Sequence, residues 1–170
     1  MVNWQYYPKS KEIPKHLKSV VDVFNKNESK IDSGHHLLGS NEVLLVLRRD
    51  LEQAGWKIEK GGKALDKIKV PVLFGMNGKL EKHFQADGYH AKTGTVIEIE
   101  AGRAVTNNQF LKDLFQACMM HEVAFLIIAV RKIYGKGNSP DFARVCTFFD
   151  TLYASGRLNL PLQGILIVGY

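Results

Sequence analysis

Apolar residues recur along this chain with two different periods, and the change of period divides it. Over residues 15–25, Leu17, Val20, Val21 and Phe24 fall at helical spacing, so an amphipathic helix is expected there. Asp32-Ser33-Gly34-His35-His36 interrupts the pattern. Ser40 is a residue suited to capping, and after it Val43, Leu44, Leu47, Leu51 and Ala54 form a second apolar stripe. Gly55 is the expected stop.

Beyond that glycine the period shortens to two. Residues 56–59, 67–74, 81–90 and 95–101 read as strands, with turns at Gly61-Gly62, Asn77-Gly78 and Thr93-Gly94. Thr106, with Gln109 three residues later, makes a capping-box pattern for a third helix, whose apolar face holds Phe110, Leu114, Phe115, Ala117 and Cys118. Residues 123–130 are apolar throughout, as in a strand covered on both faces. Residues 141–154 read as a fourth helix that buries Phe148, Phe149, Leu152 and Tyr153, and residues 165–168 as a last buried strand. The order predicts an α/β fold, a mixed sheet flanked by helices. It forms one domain over residues 1–170, with the polar and aromatic residues 1–13 as a loose arm.

Composition adds a partner class. Apolar residues make up 45% of the 170, enough for a core. A formal net charge of +6 favours a polyanionic partner, nucleic acid before an anionic membrane surface. The longest apolar run, 123–130, falls far short of the ~20 residues a membrane helix needs. The N-terminus has no apolar leader, and Cys118 and Cys146 lack zinc-ligand spacing. A soluble cytoplasmic protein with no membrane partner is expected.

The chemistry concentrates in two neighbouring strands, His83-Phe84-Gln85-Ala86-Asp87-Gly88-Tyr89-His90 and Thr95-Val96-Ile97-Glu98-Ile99-Glu100. Alternation puts Glu98 and Glu100 on one face and Ile97 and Ile99 on the other. A turn of even length over residues 91–94 sets Asp87 opposite Glu98 or Glu100. A three-residue loop sets it opposite Ile99 and scatters the acids. Like charges facing across strands are destabilising, and a divalent cation offsets them. Oxygen-only ligands select hard cations, magnesium or manganese. Such carboxylates also occur on the solvated face of an ordinary hairpin, and spacing alone favours that reading.

The order of elements from Ser40 to Val168 and the acids Asp87, Glu98 and Glu100 resemble the PD-(D/E)xK nuclease superfamily, in particular type II restriction endonucleases of the BamHI and BglII branch. The resemblance implies a restriction-endonuclease-like fold and magnesium-dependent hydrolysis of DNA, with manganese as a substitute. It makes Asp87 the motif aspartate, Glu98 the second acid, and Glu100 the glutamate that this branch carries where most members have lysine. It assigns metal binding to Asp87 and Glu98, and a further acid to Glu42 on the preceding helix. Ala86 stands where the motif name has proline. Without the lysine, Glu100 is left as the general base. Double-stranded DNA is the implied partner, and a two-fold homodimer the implied assembly.

Around this core, Arg103, Asn107, Asn108 and Lys112 are the candidates for DNA contact: a helix start offers N–H groups to phosphate, and asparagine reads adenine. Capping explains Thr106 and Gln109 equally well. His83 reads as a polar-face histidine. His35-His36 lacks a partnered ligand spacing, and His121-Glu122 is not part of an HExxH motif. Lys57, Lys60, Lys63, Lys67 and Lys69 form a basic run suited to solvent or phosphate. A structure-specific junction or repair nuclease, or a non-catalytic DNA-binding module with the same fold, fits the same pattern.

Overall fold

A computed structural model describes residues 1–61, 66–102, 104–133 and 139–170. Arg103 and Lys63 lie outside the described residues. The elements run β1 (Asn3–Tyr7), α1 (Lys15–Ile31), α2 (Ser40–Gln53), β2 (Lys57–Ile58), β3 (Ile68–Phe74), β4 (Leu80–Ala86), β5 (Gly88–His90), β6 (Thr95–Glu100), α3 (Gln109–Met119), β7 (Phe125–Val130), α4 (Asp141–Ser155) and β8 (Gly164–Gly169). Six strands form one mixed sheet in the order β1-β8-β7-β6-β5-β2, while β3 and β4 pair separately. The central three, β6, β7 and β8, are parallel, and the outer pairings are antiparallel.

Strands β7 and β8 are apolar on both sides because helices cover both faces. Ile97, Ile99, Ile127, Ala129, Leu166 and Val168 pack with Leu17, Phe24, Leu44 and Leu47 of α1 and α2. Val96, Leu126, Ile128, Val130, Ile165 and Ile167 pack with Phe110 and Leu114 of α3 and with Val145 and Phe149 of α4. Glu98 and Glu100 alternate with Ile97 and Ile99, so they belong to the α3 face.

Four sequence expectations need correction. Residues 1–13 are not a loose arm: Asn3 to Tyr7 pair antiparallel with Ile165 to Gly169. Tyr6 enters one core and Tyr7 the other, so five residues close the sheet edge on both faces. Helix α1 runs to Ile31, well past residue 25, because Asn27 and Ile31 extend its buried face. Helix α3 begins at Gln109, not at Thr106. Its N-cap is Asn108, at φ 50°, with no side-chain cap bond, so the capping box does not form. The long strand over residues 81–90 is two strands broken at Asp87: β4 turns away to pair with β3, and β5 stays in the main sheet.

Tyr7 is fully buried, its ring lies 5.5 Å from both Phe149 and Tyr153, and its hydroxyl donates to the Cys146 carbonyl and to Asp150, each at 2.9 Å. Removing a buried aromatic ring costs about 3–5 kcal/mol. Tyr7→Ala should therefore lower the urea midpoint by that much stability. An unchanged midpoint would show that β1 contributes nothing to the core.

Candidate functional site

The turn between β5 and β6 has even length. Gly88 pairs with Ile97, Tyr89 with Val96 and His90 with Thr95, leaving a four-residue connection at Ala91 to Gly94. This register carries Asp87 opposite Glu98. Two glycines hold it. A Cβ on Gly88 would lie 2.6 Å from Ile58 Cδ1 and 2.8 Å from Ile97 Cγ2, so only glycine lets the strands close here. Gly94 sits at φ +58°, and a Cβ there would meet the Glu122 carbonyl at 2.2 Å.

At Asp87 the backbone leaves the sheet, and its side chain takes over the pairing. Asp87 Oδ2 accepts the Ile99 N–H at 2.8 Å, and its carbonyl accepts the Glu59 N–H at 2.8 Å. One step further, Ser40 Oγ accepts the Ala101 N–H at 3.1 Å. The upper edge of β6 is thus satisfied by side chains where a strand would otherwise lie. What remains is an opening of about 230 Å³ with Asp87, Glu98, Glu100 and Asp113 in its wall, and Glu59, Lys67 and Lys112 beside them.

This opening is acidic and short of counter-charge. Burial raises the Asp87 carboxyl to about 6, against the bond from Ile99 N–H, and Glu59 adds to the rise. Burial, together with Asp87, Asp113 and Glu100, raises Glu98 well above the ordinary range. Glu100 is raised to about 8, by burial first and then by Asp113, to whose carboxylate its proton is hydrogen-bonded. Asp113 is raised to about 6 by burial. Lys112 is the cation that pulls all four in the opposite direction. None of the four forms an ion pair among the described residues, and Lys67 is engaged by the buried Glu59.

The sequence candidates divide accordingly. Asp87, Glu98, Glu100 and Lys112 come together. Glu42 does not join them: it is exposed, and its Oε2 accepts the Gly39 N–H at 2.6 Å to close the start of α2. The residue α2 sends to the opening is Ser40. Asn107 and Asn108 are exposed at the start of α3, outside the wall of the opening. His83 lines an adjoining groove with Gln85, Lys112 and Gln116. Sequence reasoning missed Glu59 and Asp113. Asp113 had a readable signal: it shares the buried face of α3 with Phe110, Leu114 and Ala117, so an acid occupies a position of the apolar stripe.

Among the described residues, no three His, Cys, Asp or Glu groups converge closely enough to hold an ion as they stand. The chemistry of the donors nevertheless fits a hard cation. All are oxygens, they are crowded and under-neutralised, and Asp113 Oδ2 is buried with no hydrogen-bond partner. Magnesium keeps several of its waters when held by few carboxylates, so it does not need tightly converged ligands. Comparison with family models, with curated proteins and with solved structures finds no match to this chain.

The crowding makes stability depend on pH. A carboxyl whose folded pKa is raised stabilises the fold fully below its unfolded value and loses that contribution as pH rises through the folded one. For Asp87 and Asp113 the loss runs from 3.8 to about 6, and for Glu100 from 4.5 to about 8. His16 is lowered from 6.5 by burial and by His90, so it opposes the trend only in acid. Without metal, unfolding free energy should fall between about pH 6.5 and 8, and Glu100→Gln should flatten that slope. A wild-type stability that rises over the same window would contradict the electrostatics described here.

Proposed function

We propose that this protein is a magnesium-dependent DNA endonuclease of restriction type, with manganese as an alternative metal. The observation that carries the reading is the register placing Asp87 opposite Glu98, with Glu100 on the same face, in an opening without enough positive charge. Asp87 and Glu98 are the residues to hold the cation, Asp87 through the oxygen that Ile99 leaves free. When bound, the cation supplies charge neutralisation and Lewis acidity at a phosphate.

The chain's own groups do the rest. Lys112, exposed at the mouth, meets the phosphate backbone of double-stranded DNA. Glu100 accepts the proton of the attacking water once it has released the proton it shares with Asp113, a loss that a bound cation would favour. It takes the place that the usual lysine leaves vacant. Asp113 and Asp87 keep Glu100 basic through their charge. Cleavage of both strands is simplest for a two-fold homodimer, with one such opening per strand. No helix among the described residues is long and apolar enough to cross a membrane. The two unpaired thiols accord with a cytoplasmic setting.

The test is incubation with plasmid and phage DNA, with magnesium or with EDTA. Cleavage should require the metal. Asp87→Ala and Glu98→Ala should each lower its rate by at least about 100-fold, the scale of losing one preorganised electrostatic group. Branched substrates belong in the same panel, since a preference for junctions would move the reading to a structure-specific enzyme. No metal-dependent cleavage of any substrate would sink it.

A further inference from the structure

The acids of the two neighbouring strands do not exhaust the chemistry of the opening. Asp113 reaches it from the opposite side, on α3. Only 3% of the residue is exposed, one of the most enclosed acids in the chain. Its Oδ2 has no hydrogen-bond partner, and no lysine or arginine among the described residues pairs with it. Neighbouring Lys112 borders the same opening but is exposed and forms no ion pair with Asp113.

Nothing in the packing requires an acid at this position. The helix face is otherwise Phe110, Leu114 and Ala117, and a leucine or asparagine there would avoid the penalty of an unpaired buried carboxyl. Its contact with Glu100 does not supply the missing counter-charge, because Glu100 is an acid too. A buried acid with an orphan oxygen, facing two more acids across an open space, is incomplete without a positive charge from outside the chain.

We infer that Asp113 is a direct ligand of the divalent cation, a helix-borne carboxylate that closes the site from the side opposite Asp87 and Glu98. The inference rests on the metal-dependent reading above and adds to it a ligand outside the two strands. A turn of the carboxyl about its own Cβ–Cγ bond exchanges its two oxygens, so either can be presented. Ligation from both sides also ties α3 to β6. Cation binding then stabilises the packing of that helix as well as neutralising the strand acids.

The experiment uses manganese and cadmium binding to the full chain, measured by calorimetry and by ultraviolet absorption, without reference to cleavage. Asp113→Asn should weaken manganese binding at least about tenfold while melting no lower than wild type in EDTA. Asp113→Cys exchanges a hard ligand for a soft one. It should raise the ratio of cadmium to manganese affinity at least about tenfold and add a sulfur-to-cadmium charge-transfer band. The native Cys118 and Cys146 set the baseline, since wild type carries both. If Asp113→Asn does not fold, the cysteine variant alone decides. Unchanged manganese affinity in Asp113→Asn, or no new band in Asp113→Cys, overturns the ligand role while leaving Asp87 and Glu98 untouched. Wild type that binds no manganese overturns the metal site as a whole.

Discussion

Mutual repulsion among buried carboxylates is the constraint around which this structure is organised. Asp87, Glu98, Glu100 and Asp113 lie in one opening, and the strand geometry gives the two glutamates nowhere else to go. Ile97 and Ile99 are committed to the core under α1 and α2, so Glu98 and Glu100 must face α3. A slip of one residue would relieve the acids but drive them into the opposite core and expose both isoleucines. Gly88 makes the slip harder still, since it is wedged between Ile58 and Ile97 at the pair next to Asp87. Apolar burial on one face thus holds charge in place on the other.

The opening exists because the sheet is interrupted there. Had β4 continued straight into β5, it would have covered the upper half of β6 and sealed the acids. The bend at Asp87 sends β4 to pair with β3 instead. The backbone groups left bare are taken by two side chains, Asp87 on Ile99 and Ser40 on Ala101. One residue therefore serves both the sheet edge and the wall of the opening. One Asp87 oxygen closes the sheet edge and the other faces the opening.

Much of this could be read from the sequence, because period-two and period-3.6 patterns survive wherever one side of an element is buried. The alternation Ile97-Glu98-Ile99-Glu100 identified the acidic face, whereas the parity of the 91–94 turn stayed open in the sequence and only the strand register shows it to be even. Features that depend on distant partners were harder to read. Asn3 to Tyr7 looks like a tail, because its two tyrosines carry the only inward positions and their partners lie at the far end of the chain. Glu42 looked like a site acid, but its local bond to Gly39 keeps it at the start of α2. Glu59 closes β2 as an ordinary charged residue in sequence, yet the fold buries it against Lys67. The acid at position 113 was legible, since a charged residue inside an apolar stripe calls for a partner. The partner is the opening itself, which no single segment displays.

The charge distribution also bears on how a polyanion would meet this surface. The chain as a whole is basic, at +6, but the floor of the opening is acidic. A phosphate drawn in by the net charge and by Lys112 at the mouth meets carboxylates that repel it. Neutralising the floor with the chain's own lysines would bring phosphate in, but it would fix that positive charge there permanently. A cation from solvent would resolve the conflict differently. It would be present only when bound, and it would pair with the carboxylates and the phosphate at once. A lysine held permanently among those acids would draw phosphate in without offering coordination positions for it. On this argument, the shortage of counter-charge is what would make the site depend on metal.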